Sequence, residues 1–230
     1  MTMSVPTLPI SASPESIQHV LVKTTLPARP LPSNAARLPI TTDRLTIRPW
    51  LASDLAQLRI LRTQPEVMKW TRAGHIDLDE AATQAWLARF LPPDDTLAHN
   101  CAITLTETGE LIGAGGVHSF RGEYGWPEVG YMFRSDFWGK GYAAEFLRAF
   151  TEGWASLPRE EVEIAVDPRT ANGDGKTAEE HIVAIAEASN GASQRVLSKC
   201  GWEHFITWLG ITGNTLQTYR YFPARSGKAS

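Results

Sequence analysis

Two glycines and a lysine at one point of this 230-residue chain have the types and spacing to do chemistry. They lie in Trp138-Gly139-Lys140-Gly141-Tyr142-Ala143-Ala144-Glu145, after an apolar stretch, Glu128-Val129-Gly130-Tyr131-Met132-Phe133. Beyond them Ala143, Phe146, Leu147, Phe150 and Trp154 recur at helical spacing. The order is strand, tight turn, helix. A helix starts with amides that have no carbonyl partner, and its dipole adds positive charge at the same end. Gly139 and Gly141 carry no Cβ, so a ligand can lie against the backbone and positive φ costs little. Lys140 adds a cation. The arrangement predicts binding of an anion, most often a phosphate. Two common phosphate loops are excluded. The spacing Gly-x-x-x-x-Gly-Lys-Ser/Thr is absent, and Ala144 stands where Gly-x-Gly-x-x-Gly needs its third glycine.

The elements that must position this turn follow from pattern and punctuation. Leu45, Ile47 and Trp50 fit a strand, and Ser53-Asp54 starts a helix carrying Leu55, Leu58, Ile60 and Leu61. Asp79 caps a second helix, which Pro92-Pro93 stops. Residues 101–105 and 111–119 read as a hairpin turning at Thr108-Gly109. Residues 128–133 form the strand before the glycine turn, and Leu157-Pro158 ends the helix after it. A helix from Gly191 or Ala192 ends at Gly201, and final strands fall within 203–209 and 216–222.

Composition narrows the class. Residues 1–39 hold seven of the fifteen prolines and read as an extended arm, either a free tail or docked through a strand near 17–25. Residues 40–230 form one α/β domain. The net charge of −3 and the lack of a basic block predict no nucleic-acid partner. No apolar run is long enough for a membrane span, and the N-terminus lacks the pattern of a secretory signal. Cys101 and Cys200 read as reduced thiols, and the expected location is cytoplasmic. The six histidines show no metal spacing.

Glu-Val-Gly-Tyr, a spacer, then Trp-Gly-Lys-Gly-Tyr-Ala-Ala-Glu resembles the coenzyme A loop of the GNAT acetyltransferases, closest to the branch of ribosomal-protein N-terminal acetyltransferases. Residues 42–50 are similar to that branch's first strand, 109–117 to its central hairpin, and 190–202 to its last helix and the turn after it. The resemblance implies a mixed, splayed β-sheet flanked by helices on both faces, with acetyl-CoA as co-substrate and no metal. The family has one strand between the two helices. Residues 161–166 and 181–188 both read as strands, and the second leads directly into Asn190. The core strand is therefore assigned to 181–188. Residues 158–180 become an insertion with a glycine-rich tip at 172–175.

Carried onto this chain, the family's pattern implies that the coenzyme's pantetheine arm lies between the strand containing Tyr131, Met132 and Phe133 and the strand at 181–188. The amide near Met132 or Phe133 would polarise the thioester carbonyl. Amides of Trp138, Gly139, Lys140, Gly141, Tyr142 and Ala143 would meet the pyrophosphate. Asn190 would bond the pantetheine, and Ser193 would protonate the leaving thiolate. Glu128, at the start of the strand beside the acetyl group, is the expected base, with solvent as the alternative; His118 and Tyr131 are weaker candidates. The reaction implied is direct attack by a primary amine in a ternary complex. The acceptor is a protein N-terminus or a small-molecule amine, bound near 70–100 and an aromatic rim at 119–127. The oligomeric expectation is monomer or homodimer. The competing reading is a non-catalytic acyl-CoA-binding or sensor module.

Overall fold

A computed structural model describes residues 10–171 and 175–223. Its strands are β1 (Ile10–Ser11), β2 (Val20–Pro27), β3 (Ile40–Thr41), β4 (Leu45–Arg48), β5 (His99–Leu105), β6 (Leu111–Ser119), β7 (Glu128–Phe133), β8 (Arg159–Val166), β9 (Ile182–Glu187), β10 (Glu203–Leu209) and β11 (Thr215–Tyr221). The helices are α1 (Leu55–Arg62), α2 (Pro65–Met68), α3 (Glu80–Ala88), α4 (Tyr142–Ser156) and α5 (Gly191–Lys199).

Local chemistry sets the boundaries. The Asp79 carboxylate accepts from the Ala82 N–H at 2.8 Å and starts α3. The Asn190 side chain accepts from the Ser193 N–H at 3.1 Å and starts α5. That helix ends at Gly201, φ 80°. There the Trp202 and Gly201 amides donate to the Leu197 and Ser198 carbonyls at 3.1 and 3.2 Å.

Nine strands form one sheet in the order β1-β10-β11-β9-β7-β6-β5-β4-β3. The pairs β1–β10 and β7–β9 are parallel, and the other neighbours are antiparallel. The strand β7 sorts its side chains by alternation. Val129 and Phe133 face α4 and α5, packing with Phe146, Phe150 and Leu197. Each such buried phenylalanine contributes about 1.5–3 kcal/mol. Met132 faces the other way, onto the cluster of α1 and α3 that contains Leu58, Leu61 and Leu87. Glu128 shares that face, and so does its register partner Val183. Val183 packs beneath Val22, Leu26, Ile164 and Val166 of β2 and β8. The second face thus carries helices at one end and a two-stranded ribbon at the other, with the start of β7 between them.

The ribbon accounts for part of the segment read as an insertion at 158–180. Residues 161–166 are a strand, as their alternation implies, but they lie outside the central sheet. β8 pairs along its whole length with β2, from Val20 opposite Val166 to Pro27 opposite Arg159. The N-terminal arm is docked from residue 10 onward, with β1 on one sheet edge and β2 on β8. The central place expected for 181–188 is taken by β9. Of the predicted glycine-rich tip, residues 172–174 lie outside the described residues.

Candidate active site

Glu128 and Val183 are register partners, and among the described residues theirs is the only pair that joins β7 to β9. Beside it the Val183 N–H donates to the Pro127 carbonyl at 2.9 Å. Beyond it the two strands part and leave a slot. The Arg134 N–H donates to the Ile112 carbonyl of β6 at 2.9 Å. Alternation turns the Met132 amide to that same side and points those of Tyr131 and Phe133 into the slot. The Met132 amide, one of the two expected beside the thioester, is therefore turned away from the slot, whereas that of Phe133 faces it. The Trp138 indole N–H donates to the Phe133 carbonyl at 2.7 Å, which holds its half-exposed ring at the open end.

The glycine turn has the geometry its residues predict. Gly139 and Gly141 sit at φ 73° and 85°. The first bond of α4 runs from the Glu145 N–H to the Gly141 carbonyl at 3.1 Å, so the Tyr142, Ala143 and Ala144 amides precede the ladder. Two expectations change. The Trp138 amide donates to the Ser135 carbonyl at 3.1 Å and is spent inside the turn. Lys140 Nζ donates to the Asp136 carbonyl at 2.9 Å and lies 5.1 Å from the Phe137 ring centre, so it braces the loop. A second cation beside the turn, not singled out from the sequence, is Arg44. Its Nη1 donates to the Lys140 carbonyl at 3.0 Å, its Nε to Glu145 at 2.7 Å, and its guanidinium lies 4.5 Å from the Tyr142 ring centre. Burial opposes ionisation of Glu145, but bonds from Thr42 and Arg44 hold its carboxyl below the usual range. A cavity of about 420 Å³ opens here, lined by Arg44, Gly141, Glu145, Arg148 and Lys199 among others.

On the α5 side, the Tyr131 hydroxyl lies 2.9 Å from Ser193 Oγ. Burial pushes the Tyr131 phenol up to about 12. The Asn190 side-chain oxygen is engaged in its cap on the Ser193 amide.

On the opposite face, Glu128 is 16% exposed, with Oε1 3.4 Å from His118 Nε2. A register shift between Val117 and Ser119 accompanies the placing of His118 beside it. The Glu123 N–H is 3.4 Å from Glu128 Oε2. Burial, and then the nearby Glu128 charge, raise the Glu123 carboxyl above its usual range. The aromatic rim expected at 119–127 is largely core. Tyr124 and Trp126 are fully buried, their polar ends bonded to Thr218 and Thr170. Among the described residues, no group of three or more His, Cys, Asp and Glu is arranged to hold a metal ion. No described helix is long and apolar enough to cross a membrane.

A family model described as an acetyltransferase (GNAT) domain matches residues 44–203. The chain belongs to the GNAT acetyltransferase family. An uncharacterized N-acetyltransferase, p20, of Bacillus licheniformis is 30% identical over 129 residues, which are 55% of this chain and 72% of that protein. Among solved structures, a GNAT-family acetyltransferase from Bacillus anthracis superposes with a TM-score of 0.61 at 20% identity, covering 81% of this chain and 99% of that one. A ribosomal L7/L12 alpha-N-protein acetyltransferase solved with coenzyme A gives 0.59 at 13% identity, covering 80% and 98%. An acetyltransferase activity follows from family membership.

Proposed function

We propose that this GNAT protein moves an acetyl group from acetyl-CoA to a primary amine, either a protein N-terminus or a small molecule, by direct attack in a ternary complex. The observation that carries the reading is the opening of β7 from β9 at the single pair Glu128–Val183, with unladdered helix amides at one end and a carboxylate at the other. The residues fit the coenzyme. Gly139 and Gly141 hold the turn at positive φ, the Tyr142, Ala143 and Ala144 amides precede the ladder of α4, and the slot offers two strand amides. Acetyl-CoA supplies the acetyl group already activated as a thioester.

The chain's residues do the rest. Amides of Gly139 to Ala144 receive phosphate charge. A Tyr131 or Phe133 amide donates to the carbonyl oxygen as it gains negative charge. Glu128 takes the proton of the incoming ammonium, so that a neutral amine forms the new C–N bond. As the C–S bond breaks, Ser193, held in place by Tyr131, gives a proton to the sulfur, and the second proton that the nitrogen sheds on becoming an amide returns to Ser193 through solvent. Both partners are bound before reaction, so positioning supplies much of the rate.

The deciding measurement is release of free thiol from acetyl-CoA across a panel of primary amines, with a thermal melt in coenzyme A. At about a hundredfold above the dissociation constant, binding adds roughly 2.7 kcal/mol of stability. A melt that coenzyme A does not move overturns the site. A melt that moves with no thiol release for any amine or peptide favours the sensor reading.

A further inference from the structure

A line of contacts runs from the N-terminal arm to the Glu128 carboxylate. β2 is paired with β8 throughout. Just after β8, the Asp167 N–H donates to the Tyr124 carbonyl at 3.1 Å, and Thr170 Oγ1 accepts from the Trp126 indole at 2.7 Å. These bonds seat the β6–β7 loop on β8 so closely that a Cβ at Gly125 would lie 2.1 Å from the Ala165 carbonyl oxygen. The loop then folds back, with the Gly122 N–H donating to the Trp126 carbonyl at 2.9 Å. Gly122 rests on Glu128. A Cβ there would lie 2.5 Å from Glu128 Oε2, 2.8 Å from Glu128 Cβ and 3.1 Å from the Trp126 carbonyl oxygen. Rotation of the carboxylate relieves only the first contact. The second atom is fixed by the strand itself.

We propose that Gly122 is a positioning residue for Glu128, and that the β2–β8 ribbon is the brace that keeps it there. The inference rests on the reading of Glu128 as the proton acceptor. With Gly122 against one side, the carboxylate is left with His118 of β6 at Oε1 and the Glu123 amide of the loop at Oε2. Around them stand the Glu123 carboxylate, Arg72 at 3.8 Å from it, and Glu15 of the arm, whose charge also acts on Glu123. A general base works only within hydrogen-bond reach of the proton it removes. A misplacement of about 1 Å costs roughly 10²-fold in rate. β2 and β8, which lie outside the slot and the glycine turn, thereby belong to the working parts of the acceptor side.

The test is a double-mutant cycle of Gly122→Ala and Glu128→Gln in the full chain, reading kcat/KM for the amine, coenzyme A affinity and the melting temperature. The expected result is a roughly 10²-fold loss in kcat/KM for Gly122→Ala, with coenzyme A affinity kept and no further loss when Glu128 is already Gln. An equal loss in both backgrounds overturns the positioning role. Wild-type activity in Glu128→Gln alone is a different failure: it removes the base assignment and the inference with it. If Gly122→Ala does not fold, Trp126→Phe takes its place in the cycle. That substitution cuts the loop's bond to Thr170 and is held to the same criterion of vanishing effect in the Glu128→Gln background.

Discussion

The Tyr131 hydroxyl and Ser193 Oγ, 2.9 Å apart, join β7 to the first turn of α5 next to the place where β7 and β9 separate. Burial keeps the phenol protonated far above neutral pH, with its pKa pushed up to about 12. A phenol that stays protonated can donate to the serine oxygen and orient the serine's own proton. Ser193→Ala should therefore lower kcat by roughly 10²-fold, the low end for loss of a proton donor. Tyr131→Phe should cost less, and the double variant no more than Ser193→Ala alone. Single-turnover rates, with coenzyme A affinity measured alongside, check this. Losses that multiply would mean that the two residues act separately.

Glu128→Gln removes the carboxylate but keeps the side chain's length and the strand. Turnover should fall roughly 10²–10⁴-fold, and most at pH values below the pKa of the acceptor amine, where a proton must still be removed. The pH–rate profile of kcat/KM is the measurement. An unchanged profile would assign proton removal to solvent.

Much of this was legible in the chain. The glycine turn, the strand at 128–133 and the cap at Asp79 each rest on local chemistry, and each falls where the sequence put it. What was not legible depends on partners distant in sequence. The alternation at 161–166 shows a strand but cannot show that its partner is Val20–Pro27, far toward the N-terminus. Tyr124 and Trp126 look like a rim because their loop is short and polar around them; the ribbon together with His181, Phe205 and other side chains of β9 and β10 buries them. Arg44 reads as one residue of a first strand, and its place beside Gly141 arises because Glu145, a turn into α4, draws it there. Which β7 amides face the slot is fixed by the register with β6, which composition does not encode.

Gly141→Val should abolish coenzyme stabilisation while leaving a folded protein. Space is not the obstacle, since a Cβ at Gly141 meets only Arg44 Nη2 at 3.5 Å. The obstacle is φ 85°, which a β-branched residue resists at a cost of order 1–3 kcal/mol. The turn would relax toward negative φ and re-aim the amides that precede α4. A lower melting temperature that coenzyme A no longer raises is the expected signature. Retained coenzyme affinity would show that the turn's conformation is structural only.

His99 gives the fold a distinct acid sensitivity. It lies on β5 with its ring 5.8 Å from that of Phe150 and 5.9 Å from that of Trp154, and it is 8% exposed. Burial first, and then the Arg37 charge, lower its pKa from 6.5 to about 4. The sign follows from which state holds the proton. Between pH 6.5 and about 4 the unfolded chain takes up a proton that the folded chain refuses, so stability falls with pH across that window. The full span is worth about 3 kcal/mol. Glu123 and Glu180, whose pKa values are raised chiefly by burial, act with the opposite sign, so the wild-type curve alone is a mixture. The difference between wild type and His99→Gln isolates the histidine. Urea unfolding of both at pH 7, 5.5 and 4 should show the variant losing less stability than wild type on acidification. Parallel pH dependences would show that His99 is protonated in the folded state without penalty, and that its burial does not govern acid unfolding.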